Sequence, residues 1–474
     1  MKKVHIILAL SLLSIALHAQ DNLGIAGSTR APVNTLWNNP STIVDSRAFI
    51  DIQLAGFSVY AKNDLVFLHG NQLSIANFDT MTTVPLRKQN TSYSAFADVQ
   101  INGPSVTFAY KQHAFGISTS TRVMTDVRGI PSKAYEWAKY GFDNKNEIGK
   151  LNTISNVRTN ALAWGELGLT YGTIIARRGY SITQGAITVK KLYGIGGAGV
   201  RLDSWTYMVQ EGGRIQTKEL IGQYGFNDPT AGILNGQGWG ADIGITYKVR
   251  LNHSDGYVPH SPCTDGDYRY RIGVSLLDVG RIKFKEPFYS NNFSQNQSSM
   301  WENYQGTQAD NLGDVDSLIN NNFDLIKQNG YQTKFTMMLP TALSVQGDLN
   351  LISHLYLYGV ATYGVPWLNQ LGVQRSGYIG IAPRWETKRF EASLPLSMYQ
   401  YKRPQLGLCL RLNSIVIGSD DLAAILFKKD VYGADFYFSL KYTIFKNPKC
   451  GAEPKREKYA RKVSTKLAQP CPAW

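Results

Sequence analysis

Between Val431 and Phe445 the chain alternates almost without interruption between two kinds of residue. Tyr432, Ala434, Phe436, Phe438, Leu440, Tyr442 and Ile444 are apolar or aromatic, whereas Gly433, Asp435, Ser439, Lys441 and Thr443 are small, polar or charged. Successive side chains of a strand point to opposite faces, so this spacing predicts a strand with one apolar and one wet face. Half-buried strands of soluble sheets sustain the alternation for about five or six residues. A longer run, with tyrosines near both ends of the apolar face, fits a strand crossing a bilayer between aromatic girdles.

The pattern recurs upstream. Trp239, Ala241, Ile243, Ile245, Tyr247 and Val249 interleave with Gly240, Asp242, Gly244, Thr246, Lys248 and Arg250. Tyr268 to Leu276 and Ala163 to Tyr171 repeat it. Glu166, Asp242, Arg271, Asp435 and Lys441 all fall on the wet phase and are expected to face a lumen. Further strand candidates are Phe49–Tyr60, Tyr93–Ile101, Ser105–Lys111, Ala114–Arg122, Ala186–Leu202, Thr333–Leu349, Leu355–Val365, Gly377–Trp385, Phe390–Tyr399, Leu406–Arg411 and Ser414–Gly418. Together they predict an all-β fold, a transmembrane antiparallel barrel of about 14 strands with a range of roughly 12 to 16. The competing reading is a soluble β-sandwich, whose strands are shorter.

Tight connections at Leu351–Ser353, Glu386–Lys388 and Leu412–Asn413 fall on one side, which assigns that side and the C-terminus to the periplasm. Glu286–Gln332 then falls outside and reads as a solvated loop. Val315, Leu318, Ile319, Phe323 and Ile326 within it have helical spacing, and Pro131–Gly141 is a second short helix candidate.

The chain's beginning bears on its compartment. Met1-Lys2-Lys3 precedes an apolar run, Ile6–Leu17, too short for a membrane helix, and Ala19 then offers a small residue before Gln20. This predicts a secretory signal over residues 1–19. No later segment approaches the ~18 apolar residues of a spanning helix. A mean hydropathy of −0.22 does not oppose a barrel, because alternate residues face the lumen. With 44 glycines, 27 tyrosines and 19 phenylalanines against 18% charged residues, the composition favours strands and turns over helices.

Residues 20–48 suit a plug inside a barrel spanning residues 49–446. Gly24, Gly27, Pro32, Asn38, Asn39 and Pro40 disfavour regular structure, and irregular backbone at membrane depth persists only inside protein or a wet cavity. The other reading of this stretch is a disordered periplasmic leader. Asn38-Asn39-Pro40-Ser41-Thr42 resembles the Asn-Pro-Ala hatch motif of the long-chain fatty-acid transporter superfamily, with Ser41 where alanine is usual. The run Ile272 to Phe284 (IGVSLLDVGRIKF), with Gly238 to Gly244 and Met338-Leu339-Pro340-Thr341, resembles a large uncharacterised family of outer-membrane barrels related to that superfamily. A type IX secretion shuttle barrel belongs to the same broad group. The resemblance spans the hatch to the final strand and implies a barrel with an N-terminal plug at Asn38, Asn39 and Pro40, without implying a substrate.

Other motifs point nowhere specific. Gly194-Ile195-Gly196-Gly197-Ala198-Gly199 matches the dinucleotide-binding glycine pattern, but Val200, Arg201 and Leu202 continue a strand where a helix is required. His253, Asp255, His260, Cys263 and Asp265 share one loop with no standard zinc spacing, so no metal or cofactor is expected. Nothing resembles a nucleophile elbow or a metalloprotease motif, and no enzymatic activity is expected. Cys409 lies on a strand face, whereas Cys450 and Cys471 bracket the C-terminal tail, where an oxidising periplasm permits a disulfide.

Residues 447–474 form a basic extension that includes Lys455, Arg456, Lys458, Arg461 and Lys462. Its expected partners are anionic: peptidoglycan, lipid headgroups or an acidic periplasmic protein. The plain reading is a solvated tail, and the secretion signal argues against nucleic acid. The net charge of +14 also complements lipopolysaccharide phosphates in the outer membrane. Two functions follow: a plugged channel for a small, apolar ligand, or a non-transporting envelope or secretion scaffold that docks through its tail.

Overall fold

A sheet whose apolar face meets lipid must leave no edge unpaired. In the computed structural model, the last strand pairs with the first. The structure describes residues 22–445, apart from 45, 65, 69–83, 86–91, 134–147, 213, 228–233, 252–267, 286–287, 296–297, 303–316, 318–333, 368–369, 401–402, 423–425 and 428–429.

The wall starts with β1 (Ile50–Asn63), followed by a small ribbon of β2 (Val66–Phe67) and β3 (Val84–Pro85). β4 (Ser92–Asn102) and β5 (Ser105–Tyr110) form one interrupted stave, and both pair with β1. β6 (His113–Pro131), β7 (Leu151–Arg178) and β8 (Ser181–Gln210) come next. β9 (Arg214–Asn227) leaves the wall, and β10 (Gly236–Arg250) and β11 (Tyr268–Phe284) return to it. β12 (Phe288–Gln295) and β13 (Ser299–Trp301) precede a stave made of β14 (Phe335–Met338) and β15 (Ala342–Ile352). The circuit continues through β16 (Leu355–Gly364) and β17 (Tyr378–Glu386). Two interrupted staves follow, β18 (Phe390–Ser393) with β19 (Leu396–Tyr399), and β20 (Arg403–Leu406) with β21 (Leu408–Leu412). β22 (Ile415–Ser419) and β23 (Gly433–Ile444) close the ring, with Phe438 opposite Phe57. The result is a closed antiparallel barrel of 14 strands.

The alternation read from the sequence separates the two faces. Leu167, Leu169, Ile243, Ile245, Ile272, Val274, Val345, Ile381 and Ile417 are exposed on the outside, while Glu166, Asp242, Asp435 and Lys441 are buried inside. So much outward apolar surface around a closed wall demands an apolar solvent, which identifies an outer-membrane-type barrel. Among the described residues no helix is long and apolar enough to cross a membrane.

The two ends differ. Hairpins at Tyr110/His113, Arg178/Ser181, Ile352/Leu355 and Leu412/Ile415 gather at what we term the lower end, where the wall also begins and ends. At the upper end β7 and β8 run far beyond the wall, since 28 residues at about 3.3 Å each reach some 90 Å. β8 pairs with β10 as far as Gly194, then with β9 from Ala198 onward.

Two expectations change here. Glu286–Gln332 is not simply a solvated loop: β12 and β13 lie within it and pair with β9. The cause is apolar. Phe293, Tyr289 and Trp301 pack with Leu220, Tyr224 and Phe226 into a core of their own. Tyr268, read as outward, is buried inside and Arg269 faces out, because the register shifts between Val249 and Arg250. The five helix-spaced residues from Val315 to Ile326, nearly all of the Pro131–Gly141 candidate, the signal and the tail lie outside the described residues.

Candidate functional site

The lumen is occupied. Residues 22–48 run inside the ring as an inner segment of three single helical turns, Leu23–Ala26, Pro32–Thr35 and Pro40–Ile43, almost all of it buried. Pro32 and Pro40 start their turns, where proline's fixed φ suits the first helical position and its missing N–H is no loss. Gly27 permits close approach, because a Cβ there would collide with the Arg384 guanidinium.

The Asn38–Thr42 motif is gripped by β10, β11 and β15. Asn39 Oδ1 accepts from the Ser41 backbone N–H (3.0 Å) and hydroxyl (2.7 Å), capping the turn, while its Nδ2 donates to Gln346 Oε1 at 2.8 Å. The Asn38 carbonyl accepts from Ser275 Oγ (2.7 Å) and Gln346 Nε2 (3.1 Å). Pro40 and Asn39 lie against Gly244, where any side chain would displace them. Ser41, standing where the resembled motif has alanine, uses its hydroxyl to reach Thr246 Oγ1 at 2.7 Å.

Two buried ionic clusters flank this segment. In the lower one, Arg384 contacts Asp348 (3.1 Å) and Glu386 (3.0 Å), Arg411 contacts Glu391 (2.7 Å), and Arg271 contacts Asp348 (2.7 Å). The inner segment joins in, with Thr29 Oγ1 donating to Glu386 (2.5 Å) and Ser28 Oγ to Glu391 (2.8 Å). Lys441 Nζ donates to the Arg30 carbonyl (2.8 Å) and to Asp51 (3.3 Å). In the upper cluster Asp278 receives Arg122 (2.9 Å), Lys190 (2.7 Å) and Arg375 (2.9 Å). Lys190 also meets Asp242 at 2.8 Å and Glu166 at 3.9 Å, and Asp98 faces Arg122 at 3.7 Å. Asp278 has φ +53°, and the β10–β11 register slips beside it, so its carboxylate and those of Asp242 and Glu166 converge on Lys190. Removing one partner from such a buried pair costs about 3–5 kcal/mol, since the other charge is left desolvated.

Arg375 comes from the connection 365–377, which folds inward from the upper end. Its Leu371 carbonyl accepts from Met338 N–H (3.0 Å), and Gln374 N–H donates to Asp126 (3.0 Å). Leu371 and Val373 are buried in an apolar cluster with Leu162, Leu192, Ile282, Phe284, Phe335, Met337 and Leu339. Side chains at Gly199 or Gly225 would press on Leu371. Cavities beside the inner segment measure about 20 Å³, room for a single water molecule. Against the loop's Gln374–Gly377 a vestibule of about 290 Å³ opens, lined also by Tyr93, Arg128, Tyr363 and Gln400.

The residues singled out in the sequence do not form one site. Asn38, Asn39 and Pro40 sit at the centre of the inner segment, Glu166 and Asp242 in the upper cluster, Arg271 and Lys441 in the lower one. Asp435 stands apart, accepting from the Asp420 backbone N–H, while Asp420 receives Leu23 N–H at 2.8 Å. Cys409 is buried on β21. Cys450, Cys471, Lys455, Arg456, Lys458, Arg461 and Lys462 lie outside the described residues. Sequence reasoning missed Asp278, Arg122, Lys190, Arg375 and the inward loop. The one available signal was Leu276-Leu277-Asp278, where two apolar residues in succession break the alternation.

Residues 40–420 match a family of unknown function, DUF5723. The chain belongs to that family. No curated protein sequence matches it. Solved structures similar to this DUF5723 member include the toluene transporter TbuX of Ralstonia pickettii, at 8% identity and a TM-score of 0.41, covering 91% of this chain and 99% of that one. A FadL homologue of Pseudomonas aeruginosa (9% identity, TM-score 0.31) covers 90% and 99% respectively. For the toluene transporter TodX of P. putida the values are 8%, 0.38, 87% and 94%.

Proposed function

We propose that the protein is a closed, gated channel of the bacterial outer membrane for a small apolar ligand. In this reading residues 22–48 plug the lower lumen and the inward loop seals the upper one. The observation that carries it is the apolar cluster in which Leu371 and Val373 are buried. If the loop withdraws, the space it leaves would offer Leu162, Ile282, Phe284, Phe335 and Met337 to an apolar guest arriving through the vestibule. The tight hairpins support a periplasmic lower end, and the long β7–β8 projection supports an extracellular upper end.

Planar-bilayer conductance tests this. Wild type should conduct little. Deleting residues 20–48, and separately replacing 365–377 by a short turn, should each raise single-channel conductance, and the double variant should be the most open. A folded double variant that still conducts like wild type would refute the channel.

A second reading has one observation in its favour: both ionic clusters bind the inner segment to the wall from several sides, as a permanent filling would. The barrel would then be an envelope scaffold whose basic tail docks peptidoglycan or a periplasmic partner.

A further inference from the structure

We propose that the outward face of β8, β10, β11 and β14 at the upper rim is a binding site for a phosphorylated, multi-acyl glycolipid headgroup of the outer leaflet. This rests on the orientation assigned above.

Register places the residues side by side. Trp239 pairs with Lys191 on one flank and Arg281 on the other, so the row spans about 10 Å across the wall. One step nearer the rim, Gln237 pairs with Tyr193 and Lys283, and Lys283 with Thr336. Beyond the inward pair Phe284 and Phe335, Lys285 and Lys334 emerge exposed from neighbouring strands. Lys191, Arg281, Lys283, Lys285 and Lys334 thus share one outward surface. Between the apolar belt and the rim on these strands, no carboxylate faces outward among the described residues.

The patch is local. The uppermost outward residues on β16, β17, β19 and β23 are Tyr363, Ile379, Met398 and Ala434, all uncharged. It also sits at a particular height. Directly below come Val189, Ile243, Val279 and Leu343, exposed and apolar. Trp239, 62% exposed, marks the boundary, with Lys191 Nζ 4.8 Å from its ring centroid. Amphipathic tryptophan belongs at headgroup level, and its π-face favours a cation beside it. A ligand complementary to this surface has several acyl chains against the belt and phosphates at the level of the five bases. Inside the lumen, by contrast, Arg122, Lys190 and Arg375 are already matched by carboxylates.

The test uses the full chain folded in detergent, with bis-phosphorylated lipid A and its phosphate-free counterpart as probes, read by native mass spectrometry. The variant is Arg281→Gln/Lys283→Gln/Lys285→Gln, and the control is Lys388→Gln/Arg389→Gln at the lower rim. Heat-modifiable gel mobility confirms folding of each. The triple variant should bind bis-phosphorylated lipid A roughly tenfold to a hundredfold more weakly, with the control unchanged. Phosphate-free lipid should bind wild type and triple variant alike. Retention of lipid A by the folded triple variant, or equal loss in the control, overturns the site. Separately, Lys285→Cys should react with a membrane-impermeant maleimide on intact cells. Absence of labelling overturns the outer-leaflet assignment, whereas the conductance experiment alone decides the closed-channel reading.

Discussion

Lys190 and Lys191 are chemically identical neighbours on β8 that point to opposite faces, so their replacement isolates what the lumen does. Lys190 is buried against Asp278 at 2.7 Å, Asp242 at 2.8 Å and Glu166 at 3.9 Å. The upper cluster holds three cations, Arg122, Lys190 and Arg375, against four carboxylates, Asp98, Glu166, Asp242 and Asp278. Lys190→Met leaves two against four in a desolvated space, at a cost of about 3–5 kcal/mol. Lys191 meets the Trp239 and Tyr193 rings on the outside, so Lys191→Met forfeits about 0.5–1 kcal/mol.

The assay is urea unfolding of protein refolded in detergent free of lipopolysaccharide, followed by tryptophan fluorescence. With a slope of about 3 kcal/mol per molar urea, the midpoint should fall by roughly 1 to 1.7 M for Lys190→Met and by no more than about 0.3 M for Lys191→Met. A second change identifies the mechanism. Lys190→Met/Asp242→Asn lowers the imbalance to two against three and should recover about 1 kcal/mol or more. Equal shifts for the two lysines would show that the lumen is wet enough to screen its charges. Failure of Asp242→Asn to rescue would show that packing, not charge, was lost.

Other outcomes follow from the same geometry. Phe438→Arg, outward and centred between Phe57 and Ile417, should cost about 2–4 kcal/mol and reduce outer-membrane yield, whereas Ala434→Arg near the rim should cost at most about 1 kcal/mol; equal yields would mean the strand phase is wrong. Truncation after Lys446 should spare folding and reduce co-purification with cell wall or a periplasmic protein. Pull-downs that match full-length protein at every salt concentration remove the docking role of Lys455, Arg456, Lys458, Arg461 and Lys462. If Cys450 and Cys471 are bridged, neither thiol should be alkylated in native, non-reduced protein, and labelling of Cys450 excludes the bridge.

Strand phase was legible in the sequence wherever alternation was unbroken. Asp242 and Lys441 could be placed inward from their neighbours alone, because one residue of slip would have driven them into lipid. What alternation cannot report is where it restarts. At Leu277–Asp278 the phase resets, and Ile282 and Phe284 turn inward while Arg281 and Lys283 turn outward. The same slip completes the upper ionic cluster, adds Ile282 and Phe284 to the apolar cluster around Leu371 and exposes the basic rim.

Pairing across the lumen was equally hidden, because nothing local links Arg375 to Asp278 or Ser41 to Thr246. Ser439 shows the consequence for design. As a wet-face residue it invites a charged replacement reaching lumenal water, yet it is 3% exposed and hydrogen-bonded to Gln53. An arginine there would displace the wall's own packing and that of the inner segment. The polar face of such a strand therefore specifies a filled interior, and the wetness its composition suggests is supplied by protein hydroxyls, amides and paired charges.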